Sequence, residues 1–265
     1  MYGKNGGLLR LSKRNYYGRN ANEEYMSYSQ FKSFSECPAR ALAELRGEWK
    51  REPSTGMLVG SYVDAWLDGE KELSDFRSQH PEMFTKKGEL TAPFRQAEEI
   101  CRVIENDPYL FGLLHGLKRQ KILTGFIAGV PFKCKLDSET PRYVVDGKVL
   151  ANVDEVWSEA DGMKVPFYMA YRYDLQNAIY KTLWSQNNGG KTKDFIFAVV
   201  TKEKTPDKRL FRIADETVEA ALAEVAANAP RYQAMKEGKT AAPRCGGCDY
   251  CRATKMLDET KIEEV

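Results

Sequence analysis

The sequence predicts an α/β chain: a mixed central β-sheet flanked by helices, with a helical N-terminal part and a cysteine-rich C-terminal tail. Three observations predict it. Residues 130–137 and 142–148 have the alternation and β-branched content of two short strands. Phe195-Ile196-Phe197-Ala198-Val199-Val200 is a nearly continuous apolar run, the pattern of a strand covered on both faces. Helical periodicity stands before, between and after these strands. The order of helices, three strands, helix, strands and helix favours a mixed sheet.

Residues 1–26 carry polar and glycine-rich stretches and read as an arm or edge segment. Ser27-Tyr28-Ser29-Gln30 has the form of a capping box, in which Ser and Gln satisfy the first free N–H groups of a helix. It opens a helix through Phe31, Phe34, Ala41, Leu42 and Leu45. Pro38 should kink that helix or divide it. From Gly56 a second helix buries Val59, Val63, Trp66 and Leu67, with Asp64 at the edge of the stripe. Residues 70–90 read as a loop-rich connection, followed by helices at about 91–105 and 108–116. Strands are expected at about 120–129, 130–138 and 142–150. Asp161-Gly162 marks a turn, and a helix at about 166–187 presents Leu175, Ile179 and Leu183 on one stripe. Gln176, Tyr180 and Trp184 lie beside it, each one turn from the next. After the buried strand comes a short one, Leu210 to Ile213. Asp215 or Thr217 then caps an alanine-rich helix to about 235. The chain thus divides into an arm (1–26), a core (27–240) and a cysteine-rich tail (241–265) that is expected to pack back near Cys37.

With 42% hydrophobic and 29% charged residues, the chain is ordinary globular material. A net charge of +2 means that any nucleic-acid binding must come from a local basic surface. No apolar run approaches a membrane span, and Met1 to Arg14 lacks the hydrophobic core of a secretion signal, so the expectation is a cytoplasmic protein with no membrane partner. In a reducing compartment the six cysteines are thiols or metal ligands. The two histidines, His80 and His115, make mechanisms built on a histidine base poor candidates.

The chemistry concentrates in the strand pair. Val130, Phe132, Cys134 and Leu136 alternate with Lys133, Lys135 and Asp137, so Asp137 shares a face with two lysines. Asp146 and Lys148, two apart, share a face of the next strand. If the strands pair, two carboxylates and an ammonium converge. Hard oxygen ligands of this kind hold Mg2+ or Mn2+, which cleaves phosphodiesters by polarising the phosphoryl group and activating water, while a lysine stabilises the developing charge. An acidic residue two before a lysine occurs four times, at Glu48-Lys50, Asp146-Lys148, Glu237-Lys239 and Glu259-Lys261, so the triplet alone carries little. Context singles out Asp146-Lys148, which ends a β-branched run and precedes an amphipathic helix. Lys133 and Lys135 are candidates to hold DNA phosphates, and Tyr180 offers a stacking surface. Cys245-x-x-Cys248-x-x-Cys251 needs a fourth ligand for a tetrahedral zinc or a cubane cluster, and Cys37 is the candidate. Cys134 and Cys101 read as buried thiols.

Asp64, Asp137, Asp146-x-Lys148 and Gln176-x-x-x-Tyr180, in this order, resemble the RecB-type branch of the PD-(D/E)XK nucleases, which have a restriction-endonuclease-like core. Tyr25 to Lys32, Leu58 to Asp64, Gly129 to Lys133 and the Cys245–Arg252 tail resemble phage and prophage RecE-like exonucleases, the likeness covering roughly residues 25–255. The resemblance implies that residues 27–240 are the nuclease domain. Asp137 and Asp146 would be ligands to Mg2+ or Mn2+, the Gly147 carbonyl a further ligand, Lys148 the catalytic lysine, and Gln176 and Tyr180 neighbours of the active site and the DNA strand. Asp64 stands where many relatives carry histidine as a ligand. Gly147-Lys148-Val149 departs from a pattern of a bulky apolar residue before the lysine and threonine after it. In related nucleases one early and three late cysteines bind a 4Fe–4S cluster. For Cys37, Cys245, Cys248 and Cys251 that cluster, a zinc ion and no metal all stay open.

The implied function is metal-dependent exonuclease action in phage or prophage recombination inside a bacterial host cell. It would resect double-stranded DNA ends to single strands for a single-strand annealing protein. A homo-oligomer is consistent with the ring-shaped assemblies of relatives. The alternatives are a nucleic-acid-binding structural module with an inactive nuclease fold, and an iron–sulfur endonuclease of the adaptation or repair type.

Overall fold

The computed structural model describes residues 7–158 and 162–257. Asp161 of the expected turn, and Glu259 and Lys261, lie outside the described residues. The chain forms two compact units. The first comprises the segment up to Arg51, Phe126–Lys133, and the segment from Ala223 onward; the second comprises Glu52–Gly125 and Cys134–Leu222. In chain order the first three helices are α1 (Arg19–Glu24), α2 (Tyr28–Glu36) and α3 (Pro38–Arg46), followed by α4 (Thr55–Asp68), α5 (Glu70–Gln79), α6 (Ala92–Glu105) and α7 (Pro108–His115). Strands β1 (Lys118–Ile127), β2 (Val130–Glu139), β3 (Tyr143–Leu150), β4 (Val156–Ser158) and β5 (Met163–Val165) come next. Then come α8 (Phe167–Ala170), α9 (Tyr173–Asn187), β6 (Asp194–Thr201), β7 (Lys208–Phe211), α10 (Asp215–Lys236) and α11 (Asp249–Ala253).

Five strands form one sheet in the order β1-β2-β3-β6-β7, and β4 and β5 pair separately. The turn between β1 and β2 is Ala128-Gly129, both at positive φ (48° and 77°), as a two-residue hairpin turn requires. β2 and β3 run antiparallel, β3 and β6 parallel, and β6 and β7 antiparallel, so the sheet is mixed as expected. In the second unit β6 lies between β3 and β7, and its alternation, with both faces covered, explains the unbroken apolar run. Ile196, Ala198 and Val200 join a core built by α4, α6 and α7, including Val59, Tyr62, Ile100 and Leu113. On the other face Phe197 stacks on Tyr173 of α9 at 5.3 Å, and Phe195 meets Tyr180 edge-on at 6.0 Å. Helix starts follow the local chemistry: the Ser54 hydroxyl accepts from Met57 N–H (3.3 Å) to open α4, and Asp107 accepts from Leu110 N–H (3.0 Å) to open α7.

Two expectations change, and the alternative left open at Pro38 is decided. The region read as loop, 70–90, holds the ten-residue α5 and a short 3-10 turn at Pro81–Met83. No residue of α5 is fully buried, and only Leu73 and Phe76 pack against the core, too short a stripe to announce a helix. The helix expected at 166–187 is two, because Arg172 takes a left-handed conformation (φ 59°) between α8 and α9, with its guanidinium on Asp174 (3.2 Å). Pro38 divides rather than kinks: it is the first residue of α3, where its missing N–H costs nothing, and Cys37 is the extended residue between α2 and α3. In the first unit Met26 forms an isolated parallel bridge to Phe132. Its N–H donates to Pro131 O (2.8 Å), and Lys133 N–H donates to Met26 O (2.9 Å).

Candidate active site and cysteine centre

The candidate site grows from the junction of β2 and β3. Their ladder pairs Glu139 with Val144 and Ser138 with Val145; next along, the Asp137 carboxylate accepts from Gly147 N–H at 3.1 Å. The period of two on β3 sends Val145 and Val149 toward the α4–α6–α7 core. Asp146 and Lys148 go to the α9 side, in register with Phe197 and Val199 of β6. There the Lys148 ammonium contacts Asp146 Oδ2 and lies 5.0 Å from the Tyr173 ring centre and 5.9 Å from that of Phe197. Gln176, one turn after Tyr173 on α9, donates from Nε2 to Asp146 Oδ1 at 2.6 Å. Gln176 Oε1 is buried and accepts no hydrogen bond from the described residues.

Gly147 lies on the opposite face, where a Cβ would meet Leu114 Cδ2 of α7 at 3.0 Å. The glycine before the lysine is therefore matched by a leucine reaching in from the helix layer. α7 is itself tied to β2, because Ser138 Oγ donates to Leu113 O (2.7 Å). The turn that follows passes so close that a side chain at Gly116, φ 54°, would strike Ser138 Oγ.

The charges are interdependent. Burial, reinforced by the negative charge of Asp137, pushes the Asp146 carboxyl up to about 7 in spite of Lys148 and Gln176. For Lys148 burial works the other way, but the charges of Asp146 and Asp137 outweigh it and raise its pKa, so it stays an ammonium. α4 packs against β3 and carries Asp64 into the same field. The Asp64 carboxyl is raised to about 8 by the protein crowded around it and by repulsion from Asp137 and Asp146, while Lys148 and Arg119 act against the shift. Asp64 is exposed to solvent, so repulsion is the firmer of the two causes. Arg119 in turn is held by Asp68, one helical turn beyond Asp64, at 2.8 Å.

A divalent cation would relieve this repulsion, and three carboxylates are the hard oxygen donors that Mg2+ or Mn2+ takes. Their oxygens are not drawn into one close group, as like charges dictate; among the described residues the close group is formed by the cysteines.

Of the other residues singled out from sequence, Lys135 is half-buried two positions before Asp137, and Tyr180 packs against Phe195 one turn beyond Gln176. Lys133 is a correction. It is 1% exposed, its ammonium donates to the Tyr16 carbonyl and to Asn22 Oδ1 (2.7 Å), and it lies 4.6 Å from the Tyr16 ring centre. Strand alternation assigned its face correctly, but the N-terminal segment covers that face, so Lys133 has no exposed ammonium to offer a phosphate. Tyr173 and Arg119 were missed. Tyr173 had a signal, since it precedes Gln176 by three and Tyr180 by seven, the spacing of one helix face.

The cysteine centre is built in the first unit. Cys37 sits between α2 and α3, and the tail returns beside it, with Ala39 N–H donating to Pro243 O (3.1 Å) and Tyr250 of α11 meeting Trp49 at 5.5 Å. The sulfurs of Cys37, Cys245, Cys248 and Cys251 all lie within 4.8 Å of one another. Backbone N–H groups of Cys248 and Gly247 hold the Cys245 thiol down to about 6. Cys134 and Cys101 are buried, and burial raises both thiols, that of Cys101 to about 12.

Residues 27–254 match the model of a family described as a PDDEXK-like domain of unknown function (DUF3799). Among solved structures, the chain is similar to the crystal structure of a Eubacterium rectale protein named "Putative exonuclease". The two are 38% identical with a TM-score of 0.88, over 95% of this chain and 96% of that one. No curated protein matches the chain.

Proposed function

Because the chain belongs to this family of PDDEXK-like domains and has its nuclease fold, we propose that it is a metal-dependent deoxyribonuclease acting on DNA ends. In this reading it resects double-stranded ends in phage or prophage recombination and hands the exposed single strand to an annealing protein. The observation that carries the chemistry is the meeting of Asp137, Asp146 and Lys148 where β2 gives way to β3. The name of the Eubacterium rectale relative, similar over nearly its whole length, supports exonuclease over endonuclease action.

Asp64, Asp137 and Asp146, with the Gly147 carbonyl, are the groups that would hold Mg2+ or Mn2+. When bound, such an ion supplies Lewis acidity toward the phosphoryl oxygen and lowers the pKa of water. The chain's own residues do the rest. Lys148, kept charged by its carboxylate neighbours, is a fixed positive charge that stabilises developing negative charge rather than a base. Gln176 locks the Asp146 carboxylate in one orientation, and the Tyr173 face confines the lysine. Lys135 and Tyr180 are the groups assigned to the phosphates and bases of the DNA strand.

The test is incubation with end-labelled linear duplex and with closed circular DNA, in Mg2+, Mn2+ or EDTA. Cleavage of linear DNA alone, abolished by EDTA, supports the reading. Nicked circles would indicate an endonuclease, and binding without cleavage an inactive module.

A further inference from the structure

We infer that Cys37, Cys245, Cys248 and Cys251 hold one tetrahedral zinc ion and not a cubane iron–sulfur cluster. The argument is one of size. Four thiolates around a single ion at about 2.3 Å stand at the corners of a tetrahedron with edges of about 3.8 Å. Four thiolates on the corner irons of a cubane are pushed outward by the cluster, to separations of about 6.4 Å. Here Cys37 Sγ lies 3.7 Å from Cys251 Sγ, Cys245 Sγ lies 3.9 Å from Cys251 Sγ, and no pair in the group exceeds 4.8 Å. The sulfurs enclose room for one ion and would have to open by more than 1.5 Å on every edge to admit a cluster.

The backbone is shaped for the same purpose. Gly246 at φ 80° turns the chain after Cys245 so that the Cys248 N–H donates to Cys245 Sγ at 3.4 Å, sharing part of the thiolate charge. Arg40 lies near enough to act on the charge of Cys248, and Arg244 donates to the Cys251 carbonyl (2.9 Å) and to Thr254 Oγ1 (2.6 Å), so the dianionic centre has cationic neighbours. With four protein thiolates the ion has no open position for substrate or water, which makes it a structural centre. It joins Cys37 to Cys251, 214 positions away, and so fixes the tail against the α2–α3 junction.

The experiment uses the full chain, produced with both iron and zinc available, purified without oxygen, and dialysed against excess Mg2+ so that the carboxylate site retains no zinc. Zinc, iron and acid-labile sulfide are then counted per chain. The expected result is about one zinc, no sulfide, and, after exchange with Co2+, the visible absorption of tetrahedral cobalt thiolate. Cys251→Ser should lower retained zinc at least about tenfold; if that variant does not fold, the count on the unaltered chain decides alone. About four irons with matching sulfide would overturn the proposal, and so would metal-free protein with four titratable thiols in this group. The inference stands apart from the nuclease reading, since metal content is measured without DNA, and either can fail while the other holds.

Discussion

Lys148 answers two carboxylates at once, and that is why its removal is the sharpest test at the scale of single residues. Lys148→Ala should lower cleavage by about a hundredfold to a thousandfold with DNA affinity changed only a few-fold, as measured by single-turnover digestion beside a gel-shift titration. Its predecessor in the chain gives a second test. Gly147→Ala places a methyl 3.0 Å from Leu114 and should cost about 1 kcal/mol. In a double-mutant cycle with Leu114→Ala, urea unfolding should find that cost largely gone. The placement of Asp137, Asp146, Lys148 and Gln176 was legible because each relation is local: a period of two along a strand, a turn along a helix. Lys133 was misjudged because its environment is not local. The groups that bury it, Tyr16 and Asn22, stand 117 and 111 positions away, and no periodicity reports them.

At the scale of elements, what the sequence concealed is where a rule was broken without its usual marker. Arg172 separates α8 from α9 in a conformation that normally advertises itself with glycine, and α5 is a helix whose apolar side is only Leu73 and Phe76. The helices of the first unit also enclose an uncommon pair. Lys133 is bonded to Tyr16 O and Asn22, and Lys236 of α10 to Tyr25 O (2.9 Å) and Gln30 (3.2 Å), with no carboxylate of the described residues bonded to either ammonium. Burial lowers both, Lys133 to about 8 and Lys236 to about 7, and the charge of Lys133 adds to the effect on Lys236, which Glu237 and Glu23 oppose. In the unfolded chain a lysine keeps its proton to about 10.4. Below about pH 7 both states are protonated and the full penalty of burying charge is present; between about 7 and 10 the folded state sheds protons that the unfolded state keeps, so stability rises with pH. The urea midpoint should therefore increase over that window, by up to a few kcal/mol in unfolding free energy, and Lys133→Met should flatten the rise.

For the whole molecule, metal and stability should be linked through the second unit. Asp64 and Asp146, raised to about 8 and about 7, must lose protons before they can serve as ligands. The rise in melting temperature on adding Mg2+ should then be small at pH 6, larger at pH 8.5, and abolished by Asp146→Asn, as read by differential scanning calorimetry. The fold class was legible from the order of elements, and the mixed sheet followed from two strands adjacent in sequence and a third returning after a helix. The division into two units was not legible, because the first is assembled from three stretches far apart in the chain.

That discontinuity sets an order of events during synthesis. Every residue of the carboxylate site has been synthesised once α9 is made, and the unit around it includes nothing beyond Leu222. The other unit cannot close until Cys251 has emerged to meet a cysteine made more than two hundred residues earlier. A nascent chain stalled between those points would hold every residue of the second unit but not of the first, whose helices α2 and α3 still wait for their partner, and would be the species most exposed to chaperones and proteases.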